Sequence, residues 1–382
     1  MKQILSITRK EIDTYFSSLI ALIFLGTFLV VTLFIFFSRE AFFARGIADV
    51  RPLFRSMPIL LIFLIAALTM RQWSEEQRSG TLEMLLTLPV RPAQLALGKF
   101  LAVMAQVIVA LALTLPLPIT VSLLGDLDWG PVVGGYLAAI LLAAAYAAIG
   151  LYVSSRTDNQ IVALISTLLL GGLFYLVGTG DVIDFLAGAV AGLVRWFDNL
   201  LRLIGVNGAP DFAAGLAGDA LRAAGTGSRF ESIERGVIDV RDLVYYLSLT
   251  GIFLVLNTLS LESKRWSMGD SARTSRRGLS RAARLIGLNL IVLNVWMYPL
   301  HGLRLDLTEQ QEFSLSPATR DLLANLQEPL VITAYISRNT HPLLAPPACP
   351  RTYFLTDLER LLRFRLSSPR RASFRMSALN IS

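Results

Sequence analysis

The feature that most constrains this chain is the recurrence of apolar runs long enough to cross a bilayer. Residues 17–37, SSLIALIFLGTFLVVTLFIFF, hold no charged side chain. Further runs lie at 52–70, 100–124, 131–153, 161–178, 243–261 and 285–300, the last of them short. A spanning helix needs about 20 mostly apolar residues, because each backbone N–H and C=O must be satisfied within the segment. The pattern predicts an all-α polytopic membrane protein. Composition agrees: of 382 residues, 54% are hydrophobic and 16% charged, against about 25% charged in soluble domains. The run at 131–153 is rich in Ala and Gly, residues that let helices pack closely in lipid.

The first run does not read as a cleaved leader, since Glu11 and Asp13 precede it and no A-x-A site follows. Ahead of it, Ile4, Leu5, Thr8, Ile12, Tyr15, Phe16 and Leu19 share one helical face, with Lys2, Arg9 and Lys10 elsewhere. That is the pattern of an interfacial amphipathic helix; a simple extension of the first span is the alternative.

Six spans place loops on alternating sides. The loops 1–16, 71–99, 154–160 and 262–284 share a side and hold fifteen basic residues, among them Lys2, Lys10, Lys99 and Lys264, the only lysines of the chain. The opposing loop 179–242 carries six arginines, but loops of that length count little in the positive-inside rule. The amino terminus is therefore expected in the cytoplasm of a cell whose inner membrane holds the chain. Residues 264–284, KRWSMGDSARTSRRGLSRAAR, read as a basic linker lying on anionic lipid rather than as a nucleic-acid site.

Composition also excludes functions. One cysteine, Cys349, and two histidines, His301 and His341, leave no thiol or imidazole set for a metal. The second run holds Arg55, near one end, and the other runs hold no Asp, Glu, Lys, Arg or His, which disfavours an ion-coupled pump. No G-x-x-x-x-G-K-[ST] loop occurs, and the runs offer no catalytic constellation, so no enzyme and no cofactor are expected within the chain. Its energy source would have to lie on another subunit.

Residues 71–92, RQWSEEQRSGTLEMLLTLPVRP, are where such a subunit could act. The second span is expected to continue as a helix through Arg78 and to stop at Gly80. Thr81 can cap a new turn. Leu82, Leu85 and Leu86 fall on one face of a helix of about two turns, which Pro89 ends; Pro92 suits the first turn of the next helix. The stub is flanked by Glu75, Glu76, Arg78 and Glu83. Its leucines could meet a protein partner or lie in the headgroup region.

The stretch EEQRSGTLEMLLTLPVRPAQLALGKF resembles the loop between the second and third spans of type-2 ABC exporter permeases. SRFESIERGVIDVRDLVYYLSL (228–249) and LNTLSLESKRW (256–266) resemble the gliding-motility and nitrous-oxide-reductase-accessory permeases in particular. The resemblance covers about 1–266 and implies a six-span permease with a coupling helix that docks on an ATPase subunit, ATP and Mg being held there. Carried onto this chain, it marks Glu76, Gly80, Thr81, Leu82, Glu83, Leu85 and Leu86 for coupling. It further implies an ATPase dimer and a second permease copy or paralogue as partners. The rival reading is a non-transporting scaffold or anchor of a surface machinery.

Within the long loop, 181–205 is amphipathic, and Phe230, Ile233 and Val237 are expected on one face of a short helix. In related permeases such helices help close the outer gate; an external lid without gating role is the alternative. LRLDLTEQQEFSLSPATRDLLANLQEPLVITAYIS (303–337) resembles the start of the gliding-motility auxiliary subunit, with a helix capped by Ser316 and a strand, LVITAYIS. The expected organisation is a permease at 1–263, the linker 264–284, a seventh span at 285–300 and the start of a truncated α/β extracytoplasmic auxiliary domain at 301–340. A tail at 341–382, Arg- and Ser-rich, is expected to form no compact domain.

Overall fold

Ser18 divides what the first apolar run alone would join. The computed structural model describes residues 2–39, 48–179, 225–265, 273–297 and 304–309, with a few isolated positions besides. In it α1 (Lys2–Ser17) and α2 (Leu19–Phe34) meet at Ser18, whose backbone is extended. A π-helical turn, Ile35–Arg39, ends α2. Then come α3 (Arg51–Arg78), α4 (Thr81–Thr87), α5 (Pro92–Ala112), α6 (Pro116–Leu124), α7 (Trp129–Ser154) and α8 (Gln160–Val177). After Gly225 follow α9 (Gly227–Glu234), β1 (Val237–Asp239), α10 (Val240–Arg265), α11 (Arg273–Met297) and β2 (Arg304–Asp306). The break between α5 and α6 falls where Pro116 opens a new first turn. Asp128 and Asn159 cap α7 and α8 through bonds from the N–H groups of Gly130, and of Ile161 and Val162.

Among the described residues, six helices are long and apolar enough to cross a membrane: Ala21–Ser38, Arg51–Arg78, Pro92–Leu124, Trp129–Ser154, Gln160–Val177 and Val240–Lys264. The chain is a nearly all-α polytopic membrane protein. The span expected at 285–300 is the second half of α11, which begins at Arg273, inside the stretch read as a linker. That helix is not among the six, since its first turns are basic.

α3 and α7 form the centre. In each, 67% of the spanning window is buried, against 17% in α2 and α8. The small residues of α7 explain this. Ala138, Ala139, Ala143, Ala145, Ala147 and Ala148 are all enclosed. A Cβ on Gly135 would strike the ring of Phe54, and one on Gly150 the side chain of Thr69, so two glycines set how closely α3 lies against α7.

The bundle has two ends. At one lie α1, packed on the start of α5, the last turns of α3, and the carboxyl ends of α7 and α10. At the other, α3 and α7 begin, α6 and α8 end, and α9 and β1 sit. α11 runs back along α10, with Leu290 packed at Gly251, and delivers β2 to β1. The two strands pair antiparallel: Val237 with Asp306, Ile238 with Leu305, Asp239 with Arg304. One compact unit extends from Met1 to Gln311. The amphipathic stretch 181–205, the helix and strand expected after Ser316 and the tail 341–382 lie outside the described residues, save isolated positions.

Candidate functional site

At the end that carries α1, α3 continues past its apolar run to Arg78, as its helix-forming sequence allows. Gly80 then turns the chain with φ 73°, a left-handed conformation that strains a residue bearing Cβ. Thr81 was expected to cap the stub helix and does not. Gly80 holds the capping position, and the Thr81 hydroxyl instead donates to the Glu76 carbonyl at 3.4 Å and pairs with Ser79 Oγ at 2.9 Å. Thr81 thus closes the end of α3 rather than opening α4. Beyond Pro89, the Arg91 N–H donates to Gln94 Oε1 and Pro92 sits in the first turn of α5.

The leucines of α4 face the opposite way from the sequence expectation. Leu82 and Leu86 are 5% and 7% exposed and pack with Trp73, Leu95, Ala96, Leu151 and Leu261; Leu85 lies at the edge of that cluster. A greasy stripe on a two-turn helix finds its nearest apolar partners in its own chain, and here α3, α5, α7 and α10 cover it. The outward surface is Glu83, Met84, Thr87 and Leu88, with Met84 75% exposed.

Beneath the stub lies Lys99, 2% exposed. Its ammonium donates to Glu76 Oε1 at 2.8 Å, to the Gln72 carbonyl at 2.9 Å and to Glu11 Oε1 at 3.2 Å, and stands 4.8 Å from the centre of the Trp73 ring. The cation therefore joins α1, α3 and α5. Glu76 is turned inward by this contact and does not share the surface of Glu83. Around it, Thr8 Oγ1 donates to the Gly98 carbonyl at 3.2 Å. Tyr15 donates to the Leu68 carbonyl at 2.7 Å and accepts from Gln72 Nε2; burial drives its hydroxyl well above the usual phenol range. The α1 helix is thus bolted to the bundle, leaving Leu5 and Phe16 exposed. Ser154 ties α7 to the same place, accepting from the N–H groups of Trp73 and Ser74 at 3.1 and 3.2 Å.

Nothing in the spacing of Lys99 marked it apart from the other lysines of its side. Two neutral polar groups inside spans also escaped a search for charges. Gln106 and Asn257 are buried, and Gln106 Oε1 and both polar atoms of the Asn257 amide lack hydrogen-bond partners among the described residues.

At the other end, Phe230 and Ile233 of α9 are buried in the main core. Val237, expected on the same helix, instead opens β1 after a turn at Gly236, and is buried there. The start of α9 is held at Thr226, whose N–H donates to the Phe174 carbonyl at 2.9 Å and whose carbonyl accepts from Tyr246 at 2.9 Å. Arg229 pairs with Asp242 at 2.7 Å and stacks on Tyr245, 4.2 Å from the ring centre. Glu234 is largely enclosed. Burial and the neighbouring Glu231 push its carboxyl up to about 8, against the pull of Arg235, Arg55 and Arg51. A folded-state pKa above the unfolded value means the native protein holds a proton the unfolded chain releases, so stability falls as pH rises from about 4.5 to about 8. Melting curves in detergent across that range should show the decline, and Glu234→Gln should flatten it. Among the described residues no cluster of three or more His, Cys, Asp or Glu could hold a metal ion.

The architecture defines a polytopic, helical membrane subunit. Residues 52–198, from the second span to beyond the fifth, match the family described as ABC-2 family transporter protein. That match supports a permease subunit of an ABC transporter, in a membrane and in partnership with an ABC ATPase subunit. A search of curated proteins returned no match.

Proposed function

We propose that this chain is the permease of an ATP-driven exporter of the gliding-motility and nitrous-oxide-reductase-accessory type, fused to the start of an auxiliary extracytoplasmic subunit. A separate ATPase dimer binds ATP and Mg, and α4 passes its motion to the spans. The observation that carries this reading is the stub helix at the tip of the α3–α5 hairpin. It is braced from within by Leu82 and Leu86 and presents Glu83, Met84, Thr87 and Leu88 outward. A docking element must be rigid against its own bundle to transmit force, and the Lys99 junction directly beneath supplies that rigidity. Phe230, Ile233 and Val237 then belong to the far gate, and Gly80 and Thr81 set the angle of the stub.

A second copy or paralogue completes the transporter. In support, α2 and α8 both pack on α3 and leave most of their apolar surface uncovered, including Leu22, Ile23, Val30, Ile165, Leu169 and Leu173. The lysine-bearing end faces the cytoplasm by the positive-inside rule. The test is purification from native membranes: two permeases per two ATPases are expected, and one permease per two ATPases would refute the assembly. In the Cys349→Ala background, Asp126→Cys should label with a membrane-impermeant thiol reagent in intact cells and Asp158→Cys only after permeabilisation. The reverse pattern would invert the orientation.

A further inference from the structure

The short ladder between β1 and β2 fastens the segment that follows α11 to the turn that precedes α10. Residues 304–309 come from beyond α11, yet they are fastened to the α9 end of the bundle at several independent points. The Leu307 N–H donates to the Gly236 carbonyl at 2.9 Å, extending the β1–β2 register by one pair. The Leu307 carbonyl lies directly on the first turn of α7, where a Cβ on Gly130 would overlap it. The Glu309 N–H reaches Asp128 Oδ1 at 3.4 Å, the oxygen that also caps α7 through Gly130. Thr308 is buried, and its N–H and hydroxyl both donate to Asp306 Oδ1, at 3.1 and 2.6 Å, which sets the turn that ends β2.

What these contacts grip is the turn at Gly236. Gly236 stands between α9 and β1 with φ 87°. Its Cα lies 3.0 Å from where a Cβ on Gly134 would sit, and Thr308 Cγ2 lies 3.2 Å from where its own Cβ would be. The start of α9 is held at Thr226, and its end turns at Gly236 into β1. We propose that Gly236 is a hinge and that Arg304–Glu309 is a clasp that closes it by strand addition to β1, so that the segment following α11 decides whether α9 can leave the bundle. The mode of recognition is main-chain pairing along one edge of β1, with Thr308 as the buried side chain beside the ladder.

The proposal builds on the assignment of α9 to the far gate, but its test needs neither ATPase nor cargo, so it fails or stands separately from the transport reading. The probe is Ile233→Cys in the Cys349→Ala protein, purified in detergent and treated with a small thiol reagent. With the clasp intact, this fully buried position should react slowly. Leu307→Pro deletes the N–H that bonds Gly236, and Gly130→Ala places a Cβ where the Leu307 carbonyl rests. Each should speed labelling roughly tenfold, the effect expected when a hydrogen bond and its supporting contacts are lost. Val237→Cys with Asp306→Cys, a facing pair without mutual hydrogen bonds, should after oxidation return the rate in the Gly130→Ala protein to its slow value. If Leu307→Pro fails to fold, Gly130→Ala and the disulfide decide. Equal labelling with the clasp intact, broken and locked would overturn the proposal.

Discussion

Lys99→Ala is expected to destabilise the protein by about 3 kcal/mol, the lower part of the range for breaking a buried ion pair from one side. Removing the ammonium leaves the Glu11 and Glu76 carboxylates facing one another and takes the side-chain donor from the Gln72 carbonyl, which keeps its place in the α3 helix. The low end of the range applies because the two carboxylates keep 15% and 21% of their side-chain surface exposed and so retain some water. The loss should fall on the seating of α1, where Thr8 to α5 and Tyr15 to α3 are the remaining ties. Thermal melting of the purified protein measures the first effect. Labelling of Thr8→Cys, buried when α1 is seated, measures the second and should quicken. Lys99→Met combined with Glu11→Gln and Glu76→Gln should recover most of the stability, since a neutral set of similar volume owes no charge desolvation. If Lys99→Ala melts as the parent does, the junction does not hold α1.

How much of this could be read from the residues depends on the range of the interaction. The spans were legible because length and apolarity are local, and the six boundaries differ from the apolar runs chiefly where polar turns extend a helix, as QWSEEQR extends α3. The stop at Gly80 was legible because a positive φ favours glycine wherever it occurs. Which way α4 faces was not. The spacing of Leu82, Leu85 and Leu86 says that one side of the helix wants cover, and nothing in that spacing says whether Trp73 and Leu261 or another protein supplies it. Lys99 was counted for the sign of its loop; its burial depends on Glu11 and Glu76, which come from far along the chain and share no pattern with it. The β1–β2 ladder was invisible for the same reason: two three-residue strands carry no periodicity, and only folding brings Gly236 to Leu307. Val237 was placed on the helix of Phe230 and Ile233 because a helical period was extended through Gly236, the residue at which the backbone changes hand.

The orientation of α4 gives Leu86, which the leucine spacing marks for docking, and Met84, which it does not, opposite roles. Leu86→Asp should fail as a fold. Its carboxylate would sit in the apolar cluster of Trp73, Leu82, Leu95 and Leu151, where the Trp73 indole N–H is the one side-chain donor among the four, a burial that costs several kcal/mol, so the protein should accumulate poorly or melt much lower. Met84→Asp should insert, fold and melt as the parent, because the side chain is in the open. If α4 docks on an ATPase, however, Met84 is the most exposed apolar group on its outward face, and burying such a side chain is worth about 1.5–3 kcal/mol. At about 1.4 kcal/mol per decade, its replacement by a carboxylate should weaken co-purification of the ATPase at least roughly tenfold. Leu85→Asp, at the edge of the internal cluster, should show both effects in smaller measure, and Glu83→Ala should leave fold and binding nearly intact. The paired readouts are melting of the permease alone and retention of the ATPase on the purified complex. A Leu86→Asp protein that melts normally yet loses its ATPase would return the leucines to the interface. A Met84→Asp protein that keeps the ATPase at parental affinity would show that the outward face of α4 is not where the subunits meet.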